Sequence, residues 1–190
     1  MKGCNVNYNG TGYLRTVRTE NATIHVSGLT ALHLASDSGH VKFVEKLLTI
    51  PGIIVDPTCD DGNTPLFVAA RRGNAKILRM LHAAGADIHA LDRFGFLAIN
   101  IAAVYGKLDV IKTLIELGAD IDGKSGFRIM DTPLIAAAWF GNTGVVAYLL
   151  RIGADMDVVD ARNMTALDYA VKHQYEDVEE ILLYRETFGC

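Results

Sequence analysis

Residues 61–92 read DGNTPLFVAARRGNAKILRMLHAAGADIHALD. Thr64 is a favoured helix N-cap, and Pro65 suits the first helical position, where no amide is left unsatisfied. The small apolar stretch through Ala69-Ala70 lets a helix pack closely against a neighbour. Gly73 then ends that helix by taking a left-handed conformation at little cost. Ile77, Leu78 and Leu81 put a second apolar stripe on one side of a second helix. Gly85-Ala86-Asp87 stops it. Ahead of both helices, Asp61-Gly62-Asn63 is turn chemistry. The stretch predicts a turn followed by two helices.

The same grammar recurs through the chain. Thr30-Ala31-Leu32-His33, Thr64-Pro65-Leu66-Phe67, Leu97-Ala98-Ile99-Asn100, Thr132-Pro133-Leu134-Ile135 and Thr165-Ala166-Leu167-Asp168 start at spacings of 34, 33, 35 and 33 residues. Nine residues after each start stand Gly39, Gly73, Gly106, Gly141 and Gln174. Thirteen after stand Phe43, Ile77, Val110, Val145 and Val178, and seventeen after stand five leucines, Leu47, Leu81, Leu114, Leu149 and Leu182. Gly-Ala-Asp closes three segments, at Gly85, Gly118 and Gly153. A unit this short cannot bury its own stripe, so neighbours must bury it for one another. That predicts an all-α solenoid of stacked helix-turn-helix units with finger turns.

The pattern resembles the ankyrin repeat, with its period of about 33 residues and its Thr-Pro-Leu-His signature. The resemblance covers residues 28–186 and is strongest at 61–92. The expected organisation is an N-terminal tail or non-helical cap over residues 1–27. Repeats follow at about 28–60, 61–92, 93–124, 125–159 and 160–186, and a short tail at 187–190. Departures are informative. Leu97 replaces the N-cap Thr of the third repeat, so that helix should be poorly capped, at a cost of ~1 kcal/mol. Only His33 keeps the family's His, where a bond with Thr30 could form. Gln174 replaces the fifth glycine.

The ends differ. The last repeat carries Glu176, Asp177, Glu179 and Glu180 around Val178 and Ile181, as a polar terminal cap requires. Residues 1–27 are rich in Asn, Thr and Gly; Thr16 to Val26 alternates weakly and could be extended. Three readings of this segment stand open: a loosely docked tail, a non-helical cap on the first repeat, or the edge of a longer array.

Composition excludes several classes. The chain has 190 residues, half of them hydrophobic, 21% charged residues and a formal net charge of -4. The basic residues are scattered, which disfavours a nucleic-acid partner. No stretch approaches the ~18 apolar residues of a membrane span, and no secretory signal opens the chain. Cys4, Cys59 and Cys190 form no metal-like or disulfide pattern and read as free thiols of a reducing compartment. Gly10-Thr11-Gly12 lacks the following helix of a phosphate site. The histidines make no ligand set, Asp60-Asp61 and residues 155–160 lack calcium-loop spacing, and no acid and base pair has a supporting third group. No enzyme, no metal and no cofactor are expected.

What the resemblance implies is a protein-binding module on the concave face lined by first helices and fingers. The expected partner-binding residues are Arg71, Arg72, Phe94, Phe96, Tyr105, Phe127, Met130, Trp139, Phe140 and His173. Aromatics are concentrated in repeats three and four, with arginines on the flanks, the composition that protein interfaces favour. The competing reading is that some rings pack beneath neighbouring fingers, Phe96 and Phe140 first among them. The expected role is a monomeric adaptor or regulator, intracellular and cytoplasmic, with nuclear or host-cell delivery left open. The alternative is a scaffold module of a larger protein; an enzyme of unknown type is a remote third.

Overall fold

The computed structural model describes residues 6–8, 14–19, 22–25, 28–126 and 130–188, with side chains over 28–126 and 130–184. Phe127, Arg128, Gly10-Thr11-Gly12, Cys4 and Cys190 lie outside the described residues. Ten helices are described, two per repeat. The first helices are α1 (Ala31–Asp37), α3 (Pro65–Arg72), α5 (Ala98–Val104), α7 (Pro133–Trp139) and α9 (Ala166–His173). The second helices are α2 (Val41–Leu48), α4 (Ala75–Ala83), α6 (Leu108–Glu116), α8 (Thr143–Arg151) and α10 (Glu176–Phe188). Ahead of them, β1 (Val6–Tyr8), β2 (Leu14–Thr19) and β3 (Ala22–His25) pair antiparallel in chain order, with Val17 in register with both Val6 and Ile24. Part of the extended stretch expected over Thr16 to Val26 falls in β2 and β3.

First helices pack on first helices and second on second, each touching only its neighbours, α1 on α3 through α7 on α9 and α2 on α4 through α8 on α10. One continuous apolar core runs through all five repeats. Ile77, Val110, Val145 and Val178 are fully buried at equivalent places, as are Leu81, Leu114, Leu149 and Leu182. This is the predicted all-α repeat solenoid.

Local chemistry sets each helix start. Thr30, Thr64, Thr132 and Thr165 accept a bond from the amide three residues on. Leu97 offers none, as its side chain dictates. His33 joins Thr30 in a reciprocal capping box.

The glycines that end the first helices do two jobs. Gly106 sits at φ 63, and a Cβ built there would lie 2.7 Å from Asn142 Oδ1. The side chain ten residues into the next repeat rests on each of these glycines: Asn74 on Gly39, Lys107 on Gly73, Asn142 on Gly106, Tyr175 on Gly141. Asn74 and Asn142 also donate to carbonyls at the end of the preceding first helix, Asn74 to Ser36 and Asn142 to Ala103 and Val104. Gln174 takes the left-handed conformation at φ 61 with a side chain present.

Neighbouring fingers are joined through the backbone. The Arg93 amide donates to the Asp61 carbonyl, and the Gly126 amide donates to the Gly95 carbonyl at 2.7 Å. A Cβ at Gly62 would come within 2.5 Å of the Arg93 nitrogen, so only glycine permits that approach.

Candidate functional site

The residues at the open end of each first helix occupy matching repeat positions. Ser38, Arg72, Tyr105, Phe140 and His173 each stand eight residues after their repeat's start, and Asp37, Arg71, Val104, Trp139 and Lys172 stand one before. Because successive first helices pack side by side, these positions form a row across the stack.

At the N-terminal end of the row the charges are already paired. Arg72 donates to both oxygens of Asp37, Nε at 2.7 Å and a terminal nitrogen at 2.9 Å. Arg71 approaches the same carboxylate at 3.5 Å. The bond from Arg72 holds the Asp37 carboxyl below its ordinary value. The two arginines expected as an interface rim therefore hold repeat two to repeat one.

The middle of the row is apolar and open. Tyr105 is 53% exposed and Phe140 44%. The competing reading, that Phe140 packs beneath a finger, does not hold: it follows Ala138 and Trp139 at the helix end, where its backbone has left the helix, and it is exposed. Phe96 is half-buried and packs on the core, its amide bonded to Asp92.

Trp139 differs from Tyr105. It is half-buried, packs on the core, and lies 4.4 Å from the Tyr169 ring and 5.1 Å from His173. His173 in turn stacks near Tyr175 at 6.0 Å. Tyr169 is fully buried and donates its hydroxyl to Asp160 Oδ2 at 2.6 Å. Burial and that bond push its hydroxyl up to about 12. Arg162 lies 6.0 Å over Trp139, and Lys172 5.9 Å over Tyr169. His173 Nε2 is shielded and has no hydrogen-bond partner among the described residues.

Among the fingers, Phe94 is 49% exposed and carries the Arg93 guanidinium over its ring at 4.6 Å, while Arg93 also pairs with Asp61. Met130 packs on the core from a left-handed backbone at φ 59, where the other fingers place Gly28, Gly62, Gly95 and Asn163. A side chain in that conformation costs roughly 1–2 kcal/mol.

One buried polar group escaped sequence reasoning. Asn100 replaces the signature histidine and donates to the Gly123 and Asp131 carbonyls, as His33 bonds to the Asn63 carbonyl of the next finger. The shared position, three after the repeat start, was the available clue. Asp160 caps the fifth finger turn: its Oδ1 accepts from the Arg162 and Met164 amides, shaping that finger under Tyr169. Among the described residues no cluster of His, Cys, Asp and Glu has the arrangement of a metal site, and no helix is long and apolar enough to cross a membrane.

Comparison with known proteins places this architecture. The model for ankyrin repeats matches in three copies, at residues 7–92, 52–125 and 99–189. A homolog of transient receptor potential cation channel subfamily A member 1 from Caenorhabditis elegans is 31% identical over 154 residues, 81% of this chain and 12% of that protein. Human ankyrin repeat and SOCS box protein 11 is 34% identical over 124 residues, 65% of this chain and 36% of that protein. Human protein phosphatase 1 regulatory subunit 27 is 41% identical over 89 residues, 47% of this chain and 57% of that protein. The chain thus spans less than two thirds of the length of each of these relatives.

Proposed function

The chain belongs to the ankyrin-repeat family, whose repeats generally serve protein–protein interaction, and on that premise we propose that it is an adaptor or regulator docking a partner protein on the face formed by first helices and fingers. By family analogy this face is concave. The observation that carries the reading is the pair Tyr105 and Phe140, two aromatics held open at the same position of adjacent repeats. Aromatic side chains bring large contact area at low entropic cost, and a contiguous exposed patch of them marks an interface. Phe94 and Phe96 of the third finger extend the patch, with Met130 of the fourth beside it; Trp139 and His173 form its floor, and Phe127, outside the described residues, is included on the sequence pattern alone. Arg71 and Arg72 hold its near edge. The proposed setting is intracellular and cytoplasmic, as a monomer without a cofactor, and neither nucleic acid nor membrane is the proposed target.

The test replaces the exposed rings and spares the buried one. Tyr105→Ala with Phe140→Ala should abolish capture of the partner from a cell lysate, while the melting curve stays near that of the parent chain. Control changes at Lys112 and Arg151, on second helices α6 and α8, should leave capture intact. Capture that survives loss of both rings would refute the reading. Trp139→Ala is the wrong probe, because removing a ring packed on Tyr169 destabilises the fold as well.

A second reading, a scaffold module within a larger protein, is favoured by the short share of its relatives that the chain spans: 12% of the channel homolog and 36% of the SOCS box protein. The two readings share one docking face and differ in what the module is attached to.

A further inference from the structure

Resting on that docking reading, we propose that the segment taken up by the face is an acidic peptide, and that repeats four and five read its charge. Five basic side chains are already paired. Asp37 pairs with Arg71 and Arg72, Asp61 with Arg93, Glu116 with Arg79 and Asp109 with Lys112. Arg162 and Lys172 enter none of the ion pairs among the described residues. Each instead lies against an aromatic ring, Arg162 over Trp139 and Lys172 over Tyr169.

Two carboxylates near them in sequence are otherwise occupied. Asp160 accepts from two backbone amides and from the Tyr169 hydroxyl. Asp168 accepts from the Thr165 amide and hydroxyl. Both are held by bonds that fix the finger and the helix start, and both stay where they are. A cation resting on a ring leaves its other side to solvent, and a ring does not neutralise it. Both cations are exposed. Arg162 also bonds the Tyr169 hydroxyl, a neutral partner that leaves its charge uncompensated. An incoming carboxylate meets both cations without breaking an ion pair, and charge-assisted bonds are the strong kind.

The remainder of the row supplies the second half of the specificity. Tyr105 and Phe140 offer exposed apolar area in the two repeats that precede the cations. The complementary ligand is an extended segment with Asp or Glu beside a large apolar side chain. A basic segment would meet like charge, which is costly at an interface. Two isolated cations are too few for a nucleic-acid backbone, whose affinity grows with the number of phosphates neutralised. The N-terminal end of the row plays no such part, because Asp37 already holds both of its arginines.

The probe is a displayed library of random peptides of about twelve residues, ~40 Å when extended, panned on the intact chain. Recovered peptides are then measured on Tyr105→Ala/Phe140→Ala, on Arg162→Gln/Lys172→Gln and on Arg72→Gln, each checked by its melting curve. Peptides whose binding needs the two rings are expected to be rich in Asp and Glu beside apolar residues. They should bind about tenfold more weakly when Arg162 and Lys172 are neutralised, and weaken as salt is raised. Arg72→Gln should change their affinity by less than about twofold, since its contact is internal. Ring-dependent peptides that are neutral or basic, or that ignore the loss of Arg162 and Lys172, would overturn the acidic-ligand proposal and leave the docking face standing. Recovery of no ring-dependent peptide would remove both.

Discussion

His33 shows how one side chain can carry both local and long-range order. Its Nδ1 accepts from the Thr30 amide, and its Nε2 donates to the Asn63 carbonyl at 2.8 Å, so the ring must be neutral to do both. Burial holds its pKa below the ordinary value, with the bond to Asn63 acting weakly in the other direction. The unfolded chain therefore binds a proton that the folded chain refuses. Stability is fully present above the ordinary histidine value of about 6.5 and is lost as pH falls below it toward the folded value. The thermal midpoint should drop by a few degrees between about pH 7.5 and about pH 5.5. His33→Asn should melt lower throughout and lose that slope; an unchanged slope would show that His33 is not its source. Burial raises the carboxyl pKa values of Asp56, Asp122 and Asp131, which favours the folded state on acidification, but that effect belongs to the carboxylate range at lower pH. Asn100 repeats the tie two repeats later without a titratable group. Only its position, three after the repeat start, pointed to that chemistry, because the amide replaced the signature histidine.

At the scale of the helix, the third repeat tests how capping trades against packing. Leu97 already has the extended backbone of a cap, φ -82 and ψ 158, but makes no capping bond. Its side chain is half-buried on the core and reaches toward Gly123. Leu97→Ala removes the packing without adding a cap and should cost ~1 kcal/mol, from about half a buried leucine. Leu97→Thr adds a cap worth ~1 kcal/mol and should return stability close to that of the parent chain. Chemical denaturation of the three proteins decides it; a Thr variant no better than Ala would mean that the Asn100 amide is out of reach. The helices were legible because period, N-cap Thr and terminal glycine all pointed to the same boundaries. The exposure of their last residues was not. Trp139 and Phe140 are adjacent and equally aromatic, yet Tyr169, contributed by the next repeat, covers one and not the other. The pairing of Arg71 and Arg72 with Asp37 was not legible, because nothing in a linear sequence brings that residue of the preceding repeat beside them.

Across the whole molecule the two ends are unlike. Val44, Leu78, Ile111 and Val146 are fully buried at one outer-helix position, and Glu179 stands there in the last repeat. Glu179, in the charge run from Glu176 to Glu180, thus puts a polar group where the earlier repeats bury an aliphatic one. At the other end Phe43 is 49% exposed where every later repeat buries an aliphatic residue. That exposure was not foreseen, since Phe43 fits the same apolar stripe. What a linear reading conveys of a stack is its period; which members stand at an open edge depends on what lies beside them.

The seams between repeats bear on mechanics. Repeats one and two, and three and four, are joined by asparagine bonds to helix ends, and adjacent fingers are laced through the backbone from Asp61 to Arg93 and from Gly95 to Gly126. A tether pulling on both ends would load these junctions in series, so the weakest parts first and the rest hold. Optical-trap records should show a staircase, each step freeing one helix pair of about 33 residues, or ~100 Å of slack. One single rip of the entire length would mean that load is shared across the array and that the joints do not yield one by one.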